Sequence, residues 1–118
     1  MSLNPSPKSP VMVVNAGSHL TMENAHELLR LVQAVPAGAS PYVVINMRQT
    51  RVMDSTGVGA LVSSMRYVRQ QNGRLALSNL CPEMQRMFHV MNLDGVLAVY
   101  ETVEVASQHV VAQTSGEG

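Results

Sequence analysis

The sequence predicts an α/β domain with parallel strand pairs, and three observations carry that prediction. Strand-like and helix-like segments alternate through most of the chain. Tyr42 to Met47 is an apolar run, the pattern of a strand covered on both faces. Asp54-Ser55-Thr56-Gly57-Val58-Gly59 then sets an acid, two hydroxyls and two glycines where such a strand gives way to a helix.

Taken in order, Met1 to Pro10 holds three prolines and three serines and reads as a disordered leader, with Met1-Ser2-Leu3 a candidate cloning remnant. Val11 to Val14 is a short strand. A helix follows over Met22 to Val35, where Ala25, Leu28, Leu29, Val32 and Val35 recur at helical spacing and Thr21 is the expected N-cap. Pro36 to Pro41 is a breaker-rich loop. The second helix, Val58 to about Gln71, keeps Val58, Leu61, Val62, Met65 and Val68 on one stripe and stops at Asn72-Gly73 in the manner of a left-handed C-terminal residue. Arg74 to Ser78 is a strand. Pro82 opens a third helix to about Met91, with Met84, Met87, Phe88 and Met91 on its apolar side. Val96 to Tyr100 is the last strand, and Thr102 caps a final helix carrying Val103, Ala106 and Val110. The expected layout is one domain over residues 11–112, between a leader at 1–10 and a disordered tail at 113–118.

Composition narrows the function. The 118 residues suffice for one modest core, and 46% hydrophobic against 14% charged residues argues for a folded chain. The formal net charge is zero, which removes the electrostatic case for nucleic acid. One Phe, three Tyr and no Trp leave few stacking platforms for bases or sugars. The single Cys81 forms no internal disulfide and fits a reducing, cytoplasmic setting. No apolar run approaches the roughly 20 residues that span a bilayer, so direct membrane insertion is not expected. The four histidines lack metal-ligand spacing, and no metal or cofactor is expected.

The junction itself admits several chemistries. Ser55 and Thr56 stand at an exposed helix start, where backbone N–H groups and the helix dipole can hold an added phosphate. One modification there would change the charge of a whole surface, which suggests a switch more than a catalyst. Gly57-Val58-Gly59 as a nucleotide-binding turn lacks the third glycine and the P-loop lysine. Ser55 as a hydrolase nucleophile lacks the Gly-x-Ser-x-Gly elbow, since Met53 stands two residues before it, although His19, His26 or His89 remain available to a triad assembled in space. The methionines of the third helix suit a core or an exposed patch with Phe88.

The segment from Tyr42 to Tyr100 resembles the STAS domain family, typified by bacterial anti-sigma factor antagonists. The resemblance rests on the strand Val43-Val44-Ile45, the motif Asp54 to Gly59, the amphipathic helix Ala60 to Gln71, Asn72-Gly73, and the strand Leu75-Ala76-Leu77. Val90 to Asp94 is similar to the family's third helix and its exit, and Leu20 to Leu28 matches the first helix more loosely. It implies a four- or five-stranded mixed sheet with about four helices and a non-enzymatic protein-binding function. It further implies that Ser55 is phosphorylated by an anti-sigma factor that doubles as a serine kinase. The unmodified domain would bind that kinase and release a sigma factor, phosphorylation would break the complex, and a serine phosphatase would restore it. Asp54 takes the place of the preceding acid, and Thr56, Gly57 and Gly59 that of the turn.

Three departures stand out. Asn46 replaces the family's usual Asp at the strand end, and Thr21 replaces an Asp common before the first helix. Arg48 and Arg51 make the approach to the site basic and are candidates to pair with an installed phosphate. The usual extra N-terminal strand is expected to be short or missing. The partner surface is expected to combine Asp54, Ser55, Thr56 and Gly57 with Ser64, Arg66 and Arg69, which the apolar stripe of the second helix leaves outward. The alternative reading is a constitutive STAS scaffold subunit of a signalling or lipid-transport assembly, never phosphorylated.

Overall fold

The computed structural model describes residues 2–5, 11–34 and 41–117. Its centre is strand β4, Tyr42–Asn46, in which Val43, Val44 and Ile45 are fully buried. Both flanking strands run parallel to it: β2, Val11–Asn15, and β6, Arg74–Ser78. Strand β7, Ala98–Tyr100, extends the sheet beyond β6, and β1, Ser2–Pro5, closes the other side antiparallel to β2. The order is β1-β2-β4-β6-β7. A separate parallel pair joins β3, His19–Leu20, to β5, Val52–Met53.

Strand alternation sends successive side chains to opposite faces, and both faces are covered. On one, Val14, Val43, Ile45, Leu75 and Leu77 join a core with α1 (Ala25–Gln33), α2 (Ser55–Gln70) and α3 (Pro82–Val90). On the other, Val11, Val44 and Ala76 meet Ala106 and Val110 of α4, Val103–Glu117. Two-sided cover is why the β4 run shows no polar alternation through its centre.

Local chemistry sets several boundaries as expected. Asn72 takes the left-handed conformation, φ 64°. The N–H of Gly73 reaches back to the Val68 carbonyl and that of Asn72 to the Arg69 carbonyl, closing α2 in a Schellman motif. The Thr102 hydroxyl accepts from Val105 N–H at 3.1 Å and caps α4.

Four expectations require correction. Ser2–Pro5, expected in a leader, is strand β1; proline is tolerated there because the strand lies at the sheet edge. Residues 1 and 6–10, like the loop at 36–40, fall outside the described residues. At the other end α4 continues to Glu117 through the expected tail, since no glycine or proline interrupts it before Gly116. The first helix starts at Ala25, three residues later than its sequence pattern, with Asn24 rather than Thr21 at the N-cap position. Asn24 holds the intervening turn by donating to the His19 carbonyl and accepting from Thr21 N–H. The last strand begins at Ala98, after a short 3₁₀ turn over Leu93–Gly95.

Candidate protein-interaction site

The candidate site forms beyond the carboxyl ends of β2 and β4, where the chain leaving each strand returns as the β3–β5 pair. Thr50 is fully buried and ties these excursions together by donating its hydroxyl to the Gly17 carbonyl at 2.7 Å. Arg51 N–H bonds the Ser18 carbonyl, and Asp54 N–H reaches the Leu20 carbonyl.

Asp54 is the organising residue. Its backbone is extended, and one carboxylate oxygen accepts from Gly57 N–H at 2.9 Å, which caps α2. The other accepts from Met22 N–H at 3.0 Å, joining the turn before α1 to the start of α2. These charge-assisted bonds, Gly57 first and Met22 second, hold its carboxyl below the usual range. The acid therefore serves in its ionised form as a clamp between two loops.

Gly57 is buried because α2 starts directly over β3. A Cβ placed there would lie 2.1 Å from the Leu20 carbonyl oxygen and 2.8 Å from Met53 Cγ. Gly59, which the sequence also assigned to the turn, is exposed with nothing near its missing Cβ. Only the first glycine is required by close approach. With the helix start fixed in this way, Ser55 and Thr56 stand in its first turn with both side chains exposed.

The expected outward residues divide. Arg66 and Arg69 are exposed, but Ser64 is fully buried, and its hydroxyl finds no hydrogen-bond partner among the described residues. Helix α2 packs against both α1 and the sheet, so its buried stripe is wider than a single apolar row and takes in Gly57, Ala60 and Ser64. Ser64 is withdrawn from the surface. Two apolar residues that the sequence reading passed over belong to it instead: Met22 is 74% exposed and Val52 57% exposed. Met22 adjoins Asp54 through its backbone bond, and Val52 lies on the strand that leads into Asp54. Their signal in the sequence was an apolar residue in each of two polar loops, legible only once those loops were known to meet.

The other candidates are placed as follows. Asn46, where an acid was expected, donates to Asn15 at 3.0 Å and accepts from Arg48 N–H. Arg51 turns one guanidinium nitrogen to the Arg48 carbonyl at 3.3 Å and acts electrostatically on Glu83. The histidines are dispersed: His19 meets Ser18, His89 meets Asp94, His109 stacks on Tyr100, and His26 is exposed on α1. None of these histidine contacts involves Ser55, and among the described residues no cluster could hold a metal ion. On α3, Met84 and Phe88 are buried, while Met91, at the C-cap just past the helix, is 45% exposed. No helix of the described residues is long and apolar enough to cross a membrane.

Comparison with known proteins agrees with this architecture. Residues 5–106 match the model of the STAS domain. An anti-sigma-B factor antagonist of Staphylococcus aureus is 24% identical over 92 residues, covering 78% of this chain and 85% of that protein. An anti-sigma F factor antagonist of Paenibacillus polymyxa is 19% identical over 73 residues, and the match spans 62% of each chain. The solved structure of the Bacillus cell fate determinant SpoIIAA in its phosphorylated form superposes with a TM-score of 0.65 at 22% identity, covering 92% of this chain and 97% of that one.

Proposed function

The chain belongs to the STAS domain family, and from that premise we propose that it is an anti-sigma factor antagonist, a protein-binding switch controlled by phosphorylation of Ser55. The carrying observation is the exposed Ser55 in the first turn of α2, directly after a carboxylate already committed to two backbone N–H groups. Names of relatives support the reading, and so does a neighbour of the same fold that exists in a phosphorylated form.

The switch follows from electrostatics. Unmodified, the surface offers Met22 and Val52 for apolar contact, the small exposed hydroxyl of Ser55, and Arg66 and Arg69 further along α2. Phosphorylation adds about −1.5 to −2 charges at neutral pH. The N–H of Gly57, which would otherwise receive an anion, is occupied by Asp54, and that carboxylate repels the newcomer. Docking would then bury a charge without a partner, at a cost of roughly 3–5 kcal/mol. Since about 1.4 kcal/mol is tenfold in affinity, binding falls a hundredfold to a thousandfold or more. No refolding is needed. The partner is an anti-sigma factor with serine kinase activity, a phosphatase reverses the step, and the setting is the bacterial cytoplasm.

The test is labelling by the cognate kinase with ATP. Ser55 should carry the phosphate, Ser55→Ala should abolish it, and Ser55→Asp should bind the kinase more weakly at an almost unchanged thermal midpoint. Labelling confined to Thr56, or none with a kinase shown to be active, defeats the assignment. Partner binding that persists with Ser55 unmodified in cells would instead support the constitutive scaffold.

A further inference from the structure

Beside β7, on the sheet face that carries α3, lies a groove of about 610 Å³. Its floor is apolar: Leu80, Phe88 and Val99. Gln85 lines its wall with Nε2 donating to the Leu80 carbonyl, and Asp94, Tyr100 and Glu101 complete the lining. The carboxylate of Asp94 meets His89 Nδ1 at 3.2 Å. Glu101 is exposed, and among the described residues no hydrogen bond or ion pair engages its carboxylate. Among the described residues no lysine or arginine lines the groove, so its rim is acidic.

The groove adjoins an open sheet edge. Among the described residues strand β7 ends the five-stranded sheet and pairs with β6 alone. The Tyr100 carbonyl accepts from Asn79 N–H at 3.2 Å, so Tyr100 directs its backbone toward β6. Alternate residues of a parallel ladder direct their backbone groups to opposite sides, which leaves Val99 presenting its N–H and C=O to the open edge. An extended segment laid there would gain main-chain hydrogen bonds. Its alternate side chains, two residues apart, would meet the apolar floor and the acidic rim.

We propose that the free edge of β7 and this groove bind an extended peptide segment of a partner protein, with an apolar residue in the groove and a lysine or arginine two positions away facing Glu101. The backbone edge supplies orientation, the floor supplies apolar burial, and the uncompensated carboxylate selects a cation. This surface is separate from the Ser55 loop and does not rest on the phosphorylation reading.

The test titrates the isotope-labelled full chain with acetyl-Thr-Leu-Thr-Lys-Thr-amide and with the same peptide carrying Glu for Lys, followed by amide chemical shifts at low salt. The Lys peptide should move the amides of Val99, Glu101 and Phe88 at millimolar concentration. The Glu peptide should bind roughly tenfold more weakly. Glu101→Gln, an exposed change that leaves the fold intact, should erase that preference, and N-methylation of the peptide leucine amide should weaken binding of the Lys peptide. No shifts up to the solubility limit of the Lys peptide would overturn the proposal, as would equal binding of the two peptides or shifts confined to another surface. Shifts at Val99 that depend on protein concentration alone would also overturn it, because a second copy of the chain would then occupy the edge.

Discussion

Gly57→Ala and Gly59→Ala place the same methyl group two residues apart on one helix and should act in opposite directions. In an ordinary helix interior, alanine is favoured over glycine by about 1 kcal/mol. Gly59 meets that condition, since it is exposed and nothing lies within 4 Å of an added Cβ. Its replacement should raise stability by up to that amount. At Gly57 the new Cβ would stand 2.1 Å from the Leu20 oxygen and 2.9 Å from the Leu20 carbonyl carbon. Both are backbone atoms of β3, which no rotamer change can move. The start of α2 must lift by more than an ångström, straining Asp54's bonds to Gly57 and Met22. Overpacking of this kind costs about 1–3 kcal/mol. Because the helix preference offsets part of it, the net loss should be about 1–2 kcal/mol. Thermal unfolding followed by circular dichroism should show the Gly57 variant melting roughly 3–10 °C lower and the Gly59 variant slightly higher. Partner binding should fall with Gly57→Ala and hold with Gly59→Ala, because only the first displaces Ser55. An unchanged or raised midpoint for Gly57→Ala would refute the close-approach argument, and a comparable loss at Gly59 would show that the helix rejects both methyls for another reason.

Three further outcomes are expected. Asp54 has its folded-state pKa depressed, chiefly by Gly57 N–H, so its contribution is present above the unfolded carboxylate pKa and is lost as pH falls through the folded value; wild type should therefore lose more stability than Asp54→Ala between neutrality and about pH 3 in a series of urea titrations. Met22→Ser and Val52→Ser should leave the thermal midpoint almost unchanged, because both side chains are already in water, and should weaken the kinase complex when measured by calorimetry. If Arg48 or Arg51 pairs with the phosphate, phosphorylated wild type should be more stable than phosphorylated Arg48→Ala or Arg51→Ala, with the difference shrinking in salt; equal phosphorylation-dependent shifts would leave Arg51 to its bond with the Arg48 carbonyl and its field at Glu83.

The sequence by itself determined whatever is settled within a few residues. Asp54 three positions before Gly57 is a cap wherever the helix lies, Asn72-Gly73 closes α2 by bonds that span one turn, and the apolar run of β4 demands cover on both faces. From these came the α/β class, the expected parallel pairing and the place of Ser55. Tertiary structure decided the rest because the deciding contacts join distant segments. Ser64 is buried because α2 is enclosed by α1 as well as by the sheet, a second cover that polar patterning along one helix does not reveal. Ser2–Pro5 is a strand because β2 offers it an edge, whatever its own composition favours. Met22 belongs to the site only through a hydrogen bond to Asp54, 32 residues away along the chain, and no local pattern in either segment encodes that meeting.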